Sequence, residues 1–249
     1  MKTKYSLSQK VRWLRLLMHS RSSNLNEDTA LNLLSKITRK SPIIFDVGAN
    51  IGLFIKAFNK SANKPQKIYA FEPSSYVYSI LKLTVARFKN TECHQLAFDK
   101  DKGVITLNMP VKKSGSIRVG ISHIGNTNEG DFIKETVQKS TMDEFITNHK
   151  IQRVDLVKMD IEGAEYRALL GASDLLNKIR PYWFVEVSEN LERFSNSAND
   201  TFQLFQKANY VCFYLNNESQ WIRLSALNGQ DDFLFVPQEE ADDFERGTK

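Results

Sequence analysis

Ile43-Ile44-Phe45-Asp46-Val47-Gly48-Ala49-Asn50-Ile51-Gly52 is the stretch on which the fold turns. Its first half is a short apolar run ending in an acid, the pattern of a buried strand. Two glycines then let the backbone turn sharply and pass close to a ligand before the next helix begins. That helix would carry Ile51, Phe54, Ile55 and Phe58 on one face. A second apolar run, Tyr69-Ala70-Phe71-Glu72-Pro73, places another acid twenty residues after Gly52. A carboxylate at a strand's carboxyl end can accept both hydroxyl hydrogens of a ribose. Together the two segments predict a site for an adenosine-like ligand.

What the first loop lacks narrows the ligand further. Dinucleotide folds use G-x-G-x-x-G so that amides at a helix start can bind pyrophosphate. Here the pattern is Asp46-x-Gly48-x-x-x-Gly52, without the middle glycine. The carboxylate would repel a pyrophosphate and favour the ammonium and sulfonium charges of a ligand. S-adenosylmethionine fits those electrostatics better than NAD. A purely structural glycine turn, with Asp46 and Asn50 as its caps, is the alternative reading of the loop.

A third segment, Lys158-Met159-Asp160-Ile161-Glu162-Gly163-Ala164-Glu165, completes an ordered set with Asp46-Val-Gly-Ala-Asn50-x-Gly52 and Phe71-Glu72-Pro73. In this order, with Thr141-Met142-Asp143-Glu144-Phe145 and Glu186, the chain resembles the FkbM family of S-adenosylmethionine-dependent methyltransferases from about residue 43 to 190. The resemblance implies an α/β class I methyltransferase (Rossmann-like) fold and O-methylation of a sugar or natural-product hydroxyl. It also implies that Asp46, Gly48, Ala49, Asn50 and Gly52 hold the methionine portion of the cofactor. Glu72 and Pro73 would then meet the ribose, with Ala97, Phe98 and Asp99 bordering the adenine. Family members carry a histidine two residues after the glutamate of the fifth strand, where this chain has Ser188. His123 is the candidate to replace it.

Composition agrees with one enzyme domain: 249 residues, 41% apolar, 25% charged. Cys93 and Cys212 each sit in an apolar run, which suits buried small hydrophobes better than a disulfide or metal pair. No run has the length of a membrane span and no secretory signal is legible, so the expected location is the cytoplasm. The net charge of +5 is uneven, because residues 1–40 hold nine Lys/Arg against Glu27 and Asp28. The remainder has 25 Lys/Arg against 27 Asp/Glu, and a near-neutral body argues against nucleic acid as partner.

Residues 1–40 read as an N-terminal helical cap on a methyltransferase domain spanning 41–249. Val11, Trp13, Leu14, Leu17 and Met18 share one side of a helical projection, with Leu16 off that stripe. The stripe admits two uses: packing on the domain, or peripheral contact with an anionic membrane surface. Asn26 is the expected cap of a second helix that begins with Glu27 and Asp28.

Alternating strand and helix patterns predict a mostly parallel seven-stranded sheet with helices on both faces. Its strands are placed at 43–46, 69–72, 93–98, 154–160, 182–187, 210–215 and 232–236, with a helix at 162–172. Val104 to Asn108 begins an inserted hairpin reaching Lys112. The Gly- and Ser-rich stretch 114–131 is a long loop, the candidate acceptor gate.

Ligands of open α/β sheets bind beyond the carboxyl ends of the strands, so Asp46, Glu72, the 97–99 segment, Asp160 and Glu186 should converge. Methyl transfer needs chiefly alignment of an acceptor with the methyl carbon, aided by a base when the acceptor is a hydroxyl. Asp160 is the first candidate for that base and a cofactor neighbour as well. Glu162, Glu186 and His123 are the other catalytic candidates, and Lys158 is placed to hold Asp160 charged. Glu165 serves either the acceptor or merely the helix dipole. His94 and His149 lack evident partners, and no ligand-spaced histidine pair predicts a metal. The expectation is an S-adenosylmethionine-dependent O-methyltransferase acting on a small-molecule or glycan acceptor. Methylation of nitrogen or a nucleic-acid base is the alternative within enzymes, although no Asn/Asp-Pro-Pro-aromatic tetrapeptide is present. A non-catalytic nucleotide-binding module is the alternative outside them.

Overall fold

The computed structural model describes residues 5–37, 39–111, 117, 123–124, 132–187, 198–226 and 229–247. Two helices, α1 (Leu7–Ser22) and α2 (Glu27–Lys36), precede β1 (Ile43–Val47), α3 (Leu53–Phe58), β2 (Lys67–Phe71), α4 (Ser75–Val85) and β3 (Thr91–His94). An insertion of β4 (Ala97–Phe98), β5 (Gly103–Pro110), β6 (His123–Ile124) and β7 (Phe132–Ser140) follows. The chain returns through α5 (Met142–Asn148), β8 (Leu156–Met159), α6 (Glu165–Leu170), a π-helical turn (Leu175–Ile179) and β9 (Tyr182–Glu186). It continues through α7 (Ala198–Lys207), β10 (Tyr210–Leu215), β11 (Trp221–Leu224), β12 (Asp232–Pro237) and α8 (Gln238–Arg246).

The main sheet has eight strands, in the order β11-β10-β12-β9-β8-β1-β2-β3, and not the seven expected. Five neighbours, β9 to β3, run parallel, while β12, β10 and β11 are antiparallel, so the sheet is mixed. The added strand, β11, folds back on β10 through a tight turn in which the Asn216 amide bonds the Gln220 carbonyl at 2.9 Å. Only Trp221 of its four residues is buried, which is why its apolar pattern is weak.

Helices cover both faces. Ile44 packs with Leu33 and Leu34 of α2, Ile55 and Phe58 of α3, and Phe244 of α8. Phe45, the next residue, packs on the opposite side with Phe145 of α5, Leu169 of α6 and Phe205 of α7. Both neighbours are fully buried, as a central parallel strand requires.

The expected third strand at 93–98 is two strands. Thr91–His94 pairs with β2, and Ala97–Phe98 joins a separate four-stranded sheet ordered β4-β7-β5-β6. The inserted hairpin is longer than expected, because β5 runs to Pro110 and pairs with β7 along its whole length. Of the stretch 114–131 only Ile117, His123 and Ile124 are described, so its reading as an acceptor gate lies outside the described residues.

α1 lies on α4 and the inserted sheet through a face that takes only Trp13 and Leu17 of the apolar stripe. Leu16 is its buried leucine, whereas Val11, Leu14 and Met18 are 40%, 55% and 70% exposed. Hydrogen bonding selects that face: Trp13 Nε1 donates to Ser79 Oγ at 2.8 Å, and Tyr76 Oη donates to the Gln9 carbonyl at 2.6 Å. Ser20 and Thr84 hydroxyls bond at 2.6 Å, and Lys56 of α3 donates to the Ser20 and Ser23 carbonyls at the helix's end. Gln9, Trp13, Leu16 and Ser20 thus form the seam, at helical spacing but half polar. Asn26 precedes α2 in a left-handed conformation, and its side chain makes no capping bond. No helix among the described residues is long and apolar enough to cross a membrane.

Candidate functional site

Two loops at the carboxyl edge of the parallel strands build the site. In the loop after β1, Gly48 and Gly52 have φ of 78° and 84°, and Asn50 has φ of 49°. A side chain on Gly48 would collide with the carbonyl oxygen of Asp160, so glycine is required where the two loops touch. The amides of Gly48 and Ala49 donate to the Phe71 carbonyl at 3.0 and 2.9 Å. Gly52 faces α4, where a Cβ would meet Leu81 and Val85 at 3.0 Å, so it seats the loop on a helix.

The second loop, after β8, is held by Glu165, whose Oε1 accepts the amides of Ile161 and Gly163 at 2.8 and 3.3 Å. Glu165 is buried, and burial pushes its carboxyl up to about 7 despite those bonds. Glu162 and Gly163 have φ of 57° and 98°, so α6 starts at Glu165 and not at Glu162 as periodicity suggested.

Glu72 ties the first loop to β2. Its Oε2 accepts the Asn50 amide at 3.1 Å and its Oε1 the Ser74 amide at 2.9 Å. Burial raises its carboxyl to about 7, with those two amides opposing the rise. Asp46 is fully buried and is raised by burial to about 6, with the nearby Lys158 charge opposing. Lys158 Nζ lies 3.8 Å from Asp46 Oδ1, 3.1 Å from Asp160 Oδ2 and 3.3 Å from the Gly48 carbonyl. Burial disfavours the Lys158 ammonium, but the charges of Asp160 and Asp46 outweigh it and raise its pKa. Burial acts upward on Asp160 too; there Lys158 and a hydrogen bond with Glu186 prevail and hold it below the usual carboxylate range. Glu186 is the opposite member of that pair, pushed up to about 9 by burial and by Asp160. At neutral pH the pair therefore holds one proton between its two carboxyl groups, with the Lys158 charge favouring Asp160 as the ionised member.

Gly48, Asn50, Glu72, Pro73, Ala97, Phe98, Asp160 and Glu162 line one cavity of about 670 Å³, including its open mouth. Val77, Leu96, Leu107 and Ile161 make much of its wall apolar. A second cavity, of about 740 Å³, lies beyond the glycine loop and shares Gly48, Asn50 and Asp160 with the first. Ala49, Phe54 and Lys158 line it from the sheet side, and Arg12, His19 and Asn26 from the N-terminal helices.

Asp99, expected beside the adenine, is turned away: its Oδ2 binds Lys139 and Arg167, each at 2.7 Å. Those cations overcome the effect of burial and hold it low, so Asp99 braces the inserted sheet against α6. His123 pairs through its backbone with Asn108, its side chain lies outside the described residues, and so does Ser188. The expectation that His94 and His149 lack partners fails, because both gather with Glu92 between β3 and the end of α5. Arg12 and His19 are site residues that sequence reasoning missed. They occupy the polar side of a helix read for its apolar stripe.

The site's chemistry can be tested for a sulfonium cofactor through its unmatched polar atoms. Both carboxylate oxygens of Asp46 and Oδ1 of Asn50 are buried without a hydrogen-bond partner. These unmatched acceptors, with the Lys158 ammonium 3.8 Å from Asp46, fit a ligand that brings a cationic N–H group.

The family model for the methyltransferase FkbM domain matches residues 46–212, from the acid of β1 to the middle of β10. The chain belongs to the FkbM methyltransferase family. All four acids at the carboxyl edge, Asp46, Glu72, Asp160 and Glu186, fall inside the FkbM match. Among curated relatives, methyltransferase sdnD of Sordaria araneosa is 25% identical over 160 residues, covering 54% of this chain and 61% of its own. The 2-O-methyltransferase NoeI of Sinorhizobium fredii is 24% identical, covering 63% and 68%. The hexuronic acid methyltransferase AglP of Haloferax volcanii is 23% identical, covering 67% and 64%. The FkbM chain thus spans about three fifths of the length of sdnD. The crystal structure of an FkbM methyltransferase from Methylobacillus flagellatus superposes with a TM-score of 0.51 at 15% identity, over 82% of this chain and 48% of that one. This likeness supports the α/β class I methyltransferase fold.

Proposed function

We propose that this FkbM-family chain is an S-adenosylmethionine-dependent O-methyltransferase acting on a hydroxyl of a saccharide or another hydroxylated metabolite. The observation that carries the reading is the unmatched acceptor of Asn50 on the cavity that Glu72 and Asp160 also line, with the buried, unmatched Asp46 carboxylate at the base of the same loop. Asp46 and Asn50 would hold the methionine ammonium, Glu72 the ribose hydroxyls, and the apolar wall of Leu96, Phe98 and Leu107 the adenine. The cofactor supplies an electrophilic methyl carbon when bound. Asp160, charged at neutral pH and placed between the two cavities, accepts the acceptor's hydroxyl proton in a hydrogen bond and orients its oxygen. Lys158 keeps Asp160 ionised, and Glu186 hydrogen-bonds to it. Relatives named as a 2-O-methyltransferase and a hexuronic acid methyltransferase support a saccharide acceptor.

The test is transfer of labelled methyl from S-adenosylmethionine to a panel of nucleotide sugars, uronic acids and lipid-linked glycans by the full chain. A product label stable to mild base supports an ether and hence O-methylation of a hydroxyl; a base-labile label indicates a carboxyl ester. Asp160→Asn should lower turnover by at least about a hundredfold, the range of a positioned acid–base group. Transfer at the wild-type rate in that variant would remove Asp160 from the mechanism.

A further inference from the structure

Glu92, His94 and His149 lie outside both cavities, and the geometry points to a divalent transition-metal site that they form between β3 and the C-terminal end of α5, of the kind that takes Zn²⁺. One ligand atom from each lies within 4.8 Å of the other two. Glu92 and His94 are two residues apart on one strand, so their side chains leave the same face of the sheet's edge. Glu92 Oε1 is 3.2 Å from His94 Nε2. Tetrahedral zinc with bonds of about 2.0–2.1 Å sets its donors about 3.3 Å apart, so this pair already has the required spacing. His94 Nε2 is buried and makes no hydrogen bond.

Supporting contacts orient the ligands. His149 Nδ1 lies 2.9 Å from the Phe145 carbonyl. A carbonyl only accepts, so Nδ1 carries the proton and Nε2 keeps the lone pair a metal needs. Glu92 Oε2 is taken by Lys67 at 2.8 Å, which leaves Oε1 toward His94. A hydrogen-bond partner on the far atom of a ligand is the usual arrangement at metal sites. Phe71 and Phe145 pack against the His94 ring at 5.4 and 4.9 Å and limit its rotation. His149, at the exposed end of α5, has its ring centre 5.4 Å from that of His94, and three protein ligands leave a fourth position for water. Bound metal would clamp α5 to β3, the edge strand of the main sheet.

The site is tested on the full chain stripped with a chelator and titrated with Zn²⁺, then with Co²⁺ for its visible absorption. The expected result is one metal per chain, Co²⁺ bands of a four-coordinate nitrogen and oxygen site, and a higher melting temperature with Zn²⁺. His149→Ala and Glu92→Gln should each weaken Zn²⁺ binding by about ten- to a hundredfold or more. Each metal-free variant is melted beside the metal-free wild type, which separates loss of the site from loss of the fold. No saturable binding to the wild type, or binding unchanged in both variants, overturns the assignment.

Discussion

The two halves of the main sheet differ in what they bury. The parallel half, β9-β8-β1-β2-β3, ends in Asp46, Glu72, Lys158, Asp160 and Glu186, a cluster of ionisable groups in which both carboxylate oxygens of the buried Asp46 lack a hydrogen-bond partner. The antiparallel half, β12-β10-β11, buries Phe213, Leu234, Phe235 and Cys212, with Phe205 stacked on Phe235 at 3.9 Å. Burying unmatched charge costs stability, and burying aromatic rings adds to it. The unmatched acid sits at a strand end beside the cavities, and among the described residues no acid of β12, β10 or β11 is buried without a partner. Stability and chemistry should therefore be separable by mutation.

The largest expected effect is on stability. Phe235→Ala should cost about 3–5 kcal/mol in denaturant unfolding, while its folded fraction binds S-adenosylhomocysteine as the wild type does. Glu72→Ala, which also frees the Asn50 and Ser74 amides and so costs some stability, should chiefly weaken that binding, by about 1.5–3 kcal/mol, roughly ten- to 150-fold, for lost hydrogen bonds to a charged group. If calorimetry shows equal losses of affinity in the two variants, the division between the halves is wrong.

A subtler distinction lies in pH. Glu186 holds its proton in the fold up to about 9, against the usual 4.5. The folded state then binds more protons than the unfolded one, so the stability Glu186 contributes is complete below 4.5 and fades as pH rises toward 9. Asp46, Glu72 and Glu165 act in the same sense but finish near 6 to 7. Melting temperature should therefore keep falling between pH 7 and 9, and Glu186→Gln should flatten that arm; an unchanged slope would show that Glu186 is ionised in the fold. The smallest effect belongs to neither half: Ser20→Ala, which removes a buried hydroxyl pair between α1 and α4, should cost about 1 kcal/mol in the same unfolding assay.

The site was more legible in the sequence than its frame. Asp46, Glu72 and Asp160 end short apolar runs, and period and position alone put them on one edge. Asp99 follows such a run too, but its direction depends on Lys139 and Arg167, which are distant in sequence. The eighth strand was hidden because three of its four residues stay at least partly exposed. The face that α1 uses was hidden by its chemistry: a seam of Gln9, Trp13, Leu16 and Ser20 wins through hydrogen bonds that a hydrophobic projection ignores. His94 and His149 meet only through the packing of α5 on β3, for which no local spacing is a signal.

The most direct test of the account is calorimetric titration of the full chain with S-adenosylhomocysteine, with NAD beside it, for the wild type, Asp46→Asn and Glu72→Gln. Saturable one-to-one binding of S-adenosylhomocysteine, weakened in both variants, with no heat from NAD, is the predicted result. Binding of NAD alone, or affinity for S-adenosylhomocysteine indifferent to both substitutions, would contradict the claim that the buried acids of the parallel edge hold a sulfonium cofactor.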